Sequence, residues 1–253
     1  MCGRYNLIAT GQQIMDHFNL PSLPAHNPDY NIPPGQKILA VVQMEDGSSR
    51  AVNLHWGLIP SWSKDRAISS RLVNARAETL AEKPSFKHAY RYRRCLVPAT
   101  GFFEWQTAAA PIPDKLAAYT ASPAIAAPVP DRLATYTPSL AITGKQPYHI
   151  HQQANALFAL AGLWEHWEHD QETVYSCAII TTAANDKISP IHNRMPVIIT
   201  PEDYNRWLDK KNSAVDIAEF LAADAYTTMQ VTPISTRINN PLHNDESCLR
   251  PLN

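Results

Sequence analysis

Apolar and polar residues interleave along this chain in short blocks. The longest apolar run, residues 156–164, falls far short of a bilayer span. Residues 10–18 set Ile14, Met15 and Phe18 on one side of a short helix with Thr10 as N-cap. Residues 21–34 read as a loop ending in Tyr30-Asn31-Ile32-Pro33-Pro34-Gly35, where two prolines stiffen the backbone and remove donors. Lys37–Gln43 and residues 50–55 carry strand patterning, and Asp46-Gly47 between them marks a tight hairpin turn. A helix is predicted over 84–92, and residues 95–105 read as paired strand segments broken at Ala99-Thr100-Gly101. Residues 156–162 and 173–181 are β-compatible, the second rich in branched side chains. A helical turn is predicted at 185–188. A helix opening on Pro201 covers 201–208, another covers 216–222, and a closing strand covers 229–234. Strands and helices alternate without a βαβ rhythm and no repeat is visible. The pattern therefore predicts an α+β fold: a single domain over residues 1–253, with a mainly antiparallel, partly barrel-like β core flanked by helices.

Residues 107–144 depart from that pattern. Ala, Pro, Thr and Ser dominate them, so they bury little and read as a Pro/Ala-rich inserted surface loop. The 253 residues are 45% hydrophobic, enough for a substantial core. Charge is balanced overall, with 22 Lys and Arg against 23 Asp and Glu. It is not balanced locally: residues 64–94 hold nine basic side chains against three acidic ones, leaving thirteen against twenty elsewhere. Such a segment suits a phosphate track or a solvated helix face, and charge alone does not separate them. Cys2, Cys95, Cys177 and Cys248 form no C-x-x-C pair, and His149/His151 and His166/His169 come without a third ligand. We therefore expect no metal and no cofactor, and surface positions for those histidines. Without the apolar core of a signal peptide, the chain is expected to be soluble, monomeric and intracellular, cytoplasmic or nucleoid-associated, with reduced thiols and no membrane contact.

The chemistry starts at Met1-Cys2-Gly3-Arg4-Tyr5. Removal of Met1 would leave Cys2 with a thiol and a free amine on adjacent carbons. That amine has an ordinary pKa of about 7.7–8.0, so part of it is neutral at physiological pH. A 1,2-aminothiol condenses with an aldehyde to an imine and closes a thiazolidine through sulfur. Position alone does not demand this, since Cys2 is equally the second residue of an ordinary chain. By themselves His192 reads as a loop hydrogen-bonding residue, Glu104 as solvent-facing or salt-bridged, and Trp62 and Trp105 as core or rim packing.

Cys2 is accompanied by four further stretches: Trp56-Gly57-Leu58-Ile59-Pro60-Ser61-Trp62, Asn74-Ala75-Arg76-Ala77-Glu78-Thr79, Gly101-Phe102-Phe103-Glu104-Trp105, and Ile191-His192-Asn193-Arg194-Met195-Pro196. In this order they closely resemble the SRAP family, the SOS response-associated peptidase-like proteins that crosslink to abasic DNA. The resemblance runs from Cys2 to Thr232-Pro233-Ile234-Ser235 and departs at residues 107–144, where such proteins usually have a short turn. It implies covalent attachment of Cys2 to the ring-opened aldehyde of an abasic site in single-stranded DNA. It further implies Asn74, Glu104 and His192 as partners of Cys2, and Arg4, Arg76 and Arg194 near phosphates. Trp62 is implied as a base-stacking surface, and Asn31 and Pro34 as loop contacts beside the lesion.

Elementary chemistry agrees with that set. Opening the deoxyribose hemiacetal needs a proton shuttle, and imidazole titrates in the right range. Apolar neighbours of Glu104 would raise its carboxyl toward neutrality. Asn74 can hold the Cys2 backbone or amine without adding charge. Two other functions remain open: a thiol peptidase acting on other proteins, with Cys2 as nucleophile and His192 as base, and a non-covalent single-strand binder.

Overall fold

The computed structural model describes residues 2–106, 145–212, 216–221 and 228–252. The segment 107–144, Met1 and Ala222 lie outside the described residues.

The strand patterning folds into two sheets. One runs in the order β13 (Gln230–Pro233), β8 (Gln146–His151), β7 (Gly101–Gln106), β1 (Tyr5–Leu7) and β2 (Asp29–Ile32), antiparallel throughout. The other contains a closed ring. In it β3 (Lys37–Gln43) pairs with β4 (Ser49–Trp56) and β6 (Arg94–Ala99), β6 with β9 (Phe158–His169), and β9 with β10 (Glu172–Ala183). A parallel contact between β10 and β4 closes it. Farther along β10 lie β5 (Asn74–Arg76), parallel, and β11 (Arg194–Pro196), antiparallel, while β12 (Ile198–Ile199) extends β9. This is the expected α+β architecture with a barrel-like core.

Tyr5, Phe102, Phe103, Trp56 and Trp207 are among the largest fully buried side chains. Burying each Phe contributes roughly 1.5–3 kcal/mol of transfer free energy, and the larger rings bury more area. Three of the five belong to β1, which follows Cys2 by three residues, and β7, which carries Glu104. A smaller core lies alongside, where Ile234, Ile238 and Cys248 of a C-terminal strap pack on Phe103, with Tyr30 and Trp105 at its edge.

Helix α1 (Gly11–Phe18) forms as predicted. Thr10 accepts from the Gln13 N–H, and the Gln13 side chain returns the bond to Thr10. The predicted helix over 84–92 shortens to α2 (Lys87–Tyr92). The predicted helix over 201–208 divides into a 3-10 turn, Pro201–Asp203, and α3 (Tyr204–Leu208). A 3-10 turn, Ile217–Phe220, stands where the helix over 216–222 was predicted. No helix among the described residues is long and apolar enough to cross a membrane.

Three expectations are corrected. Residues 21–34 are not all loop, because Asp29–Ile32 is the edge strand β2 on β1. β6 and β7 do not pair with each other: the break at Thr100 sends one into the ring and the other into the second sheet. His149 is not a surface histidine. It is buried, stacks on Phe103 at 5.0 Å and on His151 at 4.4 Å, and lies 3.2 Å from the Asn6 amide nitrogen. Burial, with His151 beside it, holds its pKa at about 3.

Candidate active site

Strand β1 delivers the start of the chain into the protein. Tyr5 stands opposite Phe102 on β7, and the Phe103 N–H donates to the Arg4 carbonyl at 2.9 Å. Continuing that register brings the Gly3–Cys2 end level with Glu104. Asn74 comes from β5, held against β10 by the pairing of Asn74 with Ile179. Its amide donates to the Cys2 carbonyl at 2.9 Å. His192 follows a hydrogen-bonded turn in which Ile188 and Ser189 N–H donate to Asn185, and the His192 N–H donates to Ile188. Its Nδ1 accepts from the Arg194 N–H at 3.0 Å and lies 3.9 Å from Glu104 Oε2. The four residues proposed for chemistry thus come together from separate parts of the two sheets.

Their electrostatics differ sharply. Cys2 is fully buried, and burial pushes its thiol well above the ordinary range, with the charge of Glu104 adding to the effect. Glu104 is also buried, and desolvation raises its carboxyl from 4.5 to about 7. Burial lowers His192, and the positive charges of the amino terminus, Lys145 and Arg194 act in the same direction. At neutral pH the site therefore holds a protonated thiol, a neutral imidazole and a carboxyl close to half-titration. Asn74 Oδ1 is buried and accepts no hydrogen bond among the described residues. An acceptor left unmade in this way costs about 1–3 kcal/mol. Beside these groups opens a cleft of about 510 Å³ lined by Glu104, Trp105, Lys145, His192 and Asn239.

The residues proposed for DNA divide into two groups. Trp62 is exposed at 59% of its surface, and Arg76 is exposed with no ion pair among the described residues. Pro34 sits half-buried in the turn between β2 and β3. The others are occupied by the protein itself. Asn31 is buried on β2 and donates to the carbonyls of Ile238, Asn240 and His243, while its own oxygen accepts from Arg4 at 2.6 Å. Arg4 also donates to the Ile238 carbonyl and lies over the Trp105 ring. Asn31 is thus a clamp on the C-terminal strap rather than a loop residue. Arg194 forms a two-pronged pair with Glu78 at 2.6 and 3.0 Å and donates to the Thr181 carbonyl. The basic segment is likewise mixed. Arg94 is buried and caps the carbonyls of Tyr90, Arg91, Trp207, Asp209 and Asn212, while Arg66 and Arg93 pair with Glu172 and Glu165.

Sequence reading passed over Lys145 and Asn239 and took Trp105 for packing. Asn239 Oδ1 accepts the Trp105 indole N–H at 2.7 Å and so fixes the ring in the cleft wall. Nothing near Asn239 in the chain signals this. Lys145 had one signal, its place at the end of the compositionally foreign segment where patterning resumes.

A family profile described as SOS response associated peptidase (SRAP) matches residues 1–131 and 136–241. The chain is 36% identical over 256 residues to a Bacillus subtilis protein named abasic site processing protein YoaM, covering 98% of this chain and 97% of that one. It is 28% identical to the chicken abasic site processing protein HMCES, covering 90% of this chain and 67% of the relative. A crystal structure of a protein from Bacteroides thetaiotaomicron shares the fold, with a TM-score of 0.75 at 24% identity over 99% of this chain and 100% of that one.

Proposed function

The chain belongs to the SOS response associated peptidase (SRAP) family, and on that premise we propose that it processes abasic sites in DNA by forming a covalent bond to them through Cys2. The observation that carries this reading is the meeting of Asn74, Glu104 and His192 around the buried start of the chain.

Met1 is removed first, by self-cleavage or by an aminopeptidase, which frees the Cys2 amine. His192 moves the proton that opens the deoxyribose hemiacetal to its aldehyde. The neutral amine of Cys2 adds to the aldehyde carbon. Glu104 gives a proton to the departing hydroxyl, and water leaves as the imine forms. The thiol then adds across the C=N bond: sulfur bonds to carbon and the S–H proton ends on nitrogen. Aldehyde and aminothiol thus become a thiazolidine plus one water. Asn74 positions the Cys2 carbonyl, and its vacant Oδ1 offers an acceptor to the amine or the sugar hydroxyl. A carboxyl near 7 suits both proton transfers, since it gives and takes a proton at little cost.

The partner is single-stranded DNA. Trp62 provides a face for an unpaired base, Arg76 provides a phosphate contact, and Pro34 stiffens the neighbouring turn. Arg4 and Asn31 support the site from behind through the strap, and Arg194 supports it through Glu78. A thiol peptidase acting on other proteins fits less well, because burial disfavours the thiolate such an enzyme needs.

The test is a denaturing gel of purified protein with abasic single-stranded DNA, paired with intact mass. We expect a mature chain beginning at Cys2 and a heat-stable adduct. Cys2→Ser should give only an imine trapped by borohydride. A preparation that keeps Met1 and crosslinks normally would refute the mechanism, and loss of reaction on blocking the amine separates it from a peptidase.

A further inference from the structure

The cleft beside Cys2 has three named cations near it, and two of them are already committed. Arg4 gives its guanidinium to Asn31 and the Ile238 carbonyl, and Arg194 is bound to Glu78 and Thr181. Lys145 differs. It lines the cleft with Glu104 and His192 and forms no ion pair or hydrogen bond with any described residue. It stands immediately before β8, whose Gln146 pairs with Gln106 of β7. The strand that carries Glu104 and the strand that follows Lys145 are therefore paired side by side, and Lys145 directly precedes the first paired residue.

A deoxyribose carries phosphodiester oxygens at both its 3′ and 5′ positions. A sugar seated between Cys2 and Glu104 therefore brings a phosphate to the cleft wall. We propose that Lys145 holds the phosphodiester flanking the abasic deoxyribose and so sets the position of the lesion in this cleft. The proposal rests on the covalent reading of Cys2 and names the contact that seats its substrate.

The same placement gives an electrostatic signature. His192 faces Glu104 from β7, Arg194 from β11 and Lys145 from the start of β8. Burial and the amino-terminal charge depress His192 most, and Lys145 and Arg194 add to them; a phosphate on Lys145 screens one of these positive charges, so the His192 pKa should rise when DNA binds. The imidazole then becomes a better proton acceptor once substrate is seated.

The test uses the Cys2→Ala chain, which cannot close the adduct, and a single-stranded oligonucleotide carrying a stable tetrahydrofuran abasic analogue. Affinity is measured over a salt series. Lys145→Gln should weaken binding by about fivefold at low salt, the worth of one charge contact near 4 Å in a water-like medium. It should lower the slope of log K against log salt by roughly 0.7. Lys145→Arg should restore both, and matched thermal melts should show that all variants fold. The His192 resonance in the Cys2→Ala protein should titrate at higher pH with the oligonucleotide than without it, and this shift should vanish in Lys145→Gln. An unchanged salt slope in Lys145→Gln overturns the proposal. Because the slope is read without the covalent step, a wild-type chain that forms no adduct would sink the reading of Cys2 and leave this measurement to decide Lys145 separately.

Discussion

Replacing Glu104 with Gln keeps the shape of the side chain and removes its charge. In the folded protein its carboxyl titrates at about 7, against an ordinary 4.5, because burial penalises the charged form. A raised carboxyl stabilises the fold fully below about pH 4.5, and that contribution is lost as pH rises through 7. Wild type should therefore lose stability over this window, and Glu104→Gln should not. Between pH 5 and pH 8 the proton-binding curves of the folded and unfolded chains separate by about 2–3 kcal/mol. The stability of the variant relative to wild type should improve by that amount, which corresponds to about 5–10 °C in melting temperature for a domain of this size. His192 is present in both proteins and is held below its ordinary value by burial. Denaturant unfolding of both proteins at pH 5, 6, 7 and 8 and constant ionic strength measures the difference. A stability difference that does not vary with pH would show that Glu104 is not a desolvated acid in the folded state. The same variant should crosslink about 10²–10⁴-fold more slowly, the usual loss when a positioned acid–base group is removed.

The Tyr5 hydroxyl is buried and has no hydrogen-bond partner among the described residues, so Tyr5→Phe should leave stability unchanged or raise it by up to about 1 kcal/mol in denaturant unfolding. A Cβ on Gly101 would stand 2.1 Å from His149 Nε2, so Gly101→Ala should lower stability by at least about 2 kcal/mol, and a melt equal to wild type would show that His149 moves aside freely. Trp62→Ala removes an exposed ring, so melting should not change while non-covalent affinity for single strands falls by about 1–3 kcal/mol with an unaltered salt slope.

The hairpin Lys37–Gln43 with Ser49–Trp56 was legible because its strands and its Asp46-Gly47 turn are neighbours in the chain. α1 was legible because its cap and its apolar side lie within nine residues. β2 was missed because its partner β1 lies more than twenty residues away, and four residues before a proline pair carry little period of their own. The break at Thr100 was visible, yet local patterning cannot say that the flanking strands enter different sheets. Cys2, Asn74, Glu104 and His192 were legible as motif residues, while their meeting depends on strands far apart in the chain. Asn31 looked like a free polar side chain until the strap it clamps, some 210 residues later, was in view. Lys145 and Asn239 gain their meaning only from the cleft that non-local pairing creates.

Strand β1 begins three residues after Cys2 and lies inside its sheet, between β2 and β7. If Cys2 carries the proposed crosslink, the tether between a captured lesion and the folded body has almost no slack. Pulling on such an adduct would load the sheet in its middle rather than peel a loose tail from its surface. Machinery that degrades the adduct would have to pull β1 from between β2 and β7 before trimming the last residues beside the DNA. The lifetime of such an adduct would then be set by the mechanical stability of the fold as much as by the strength of the bond.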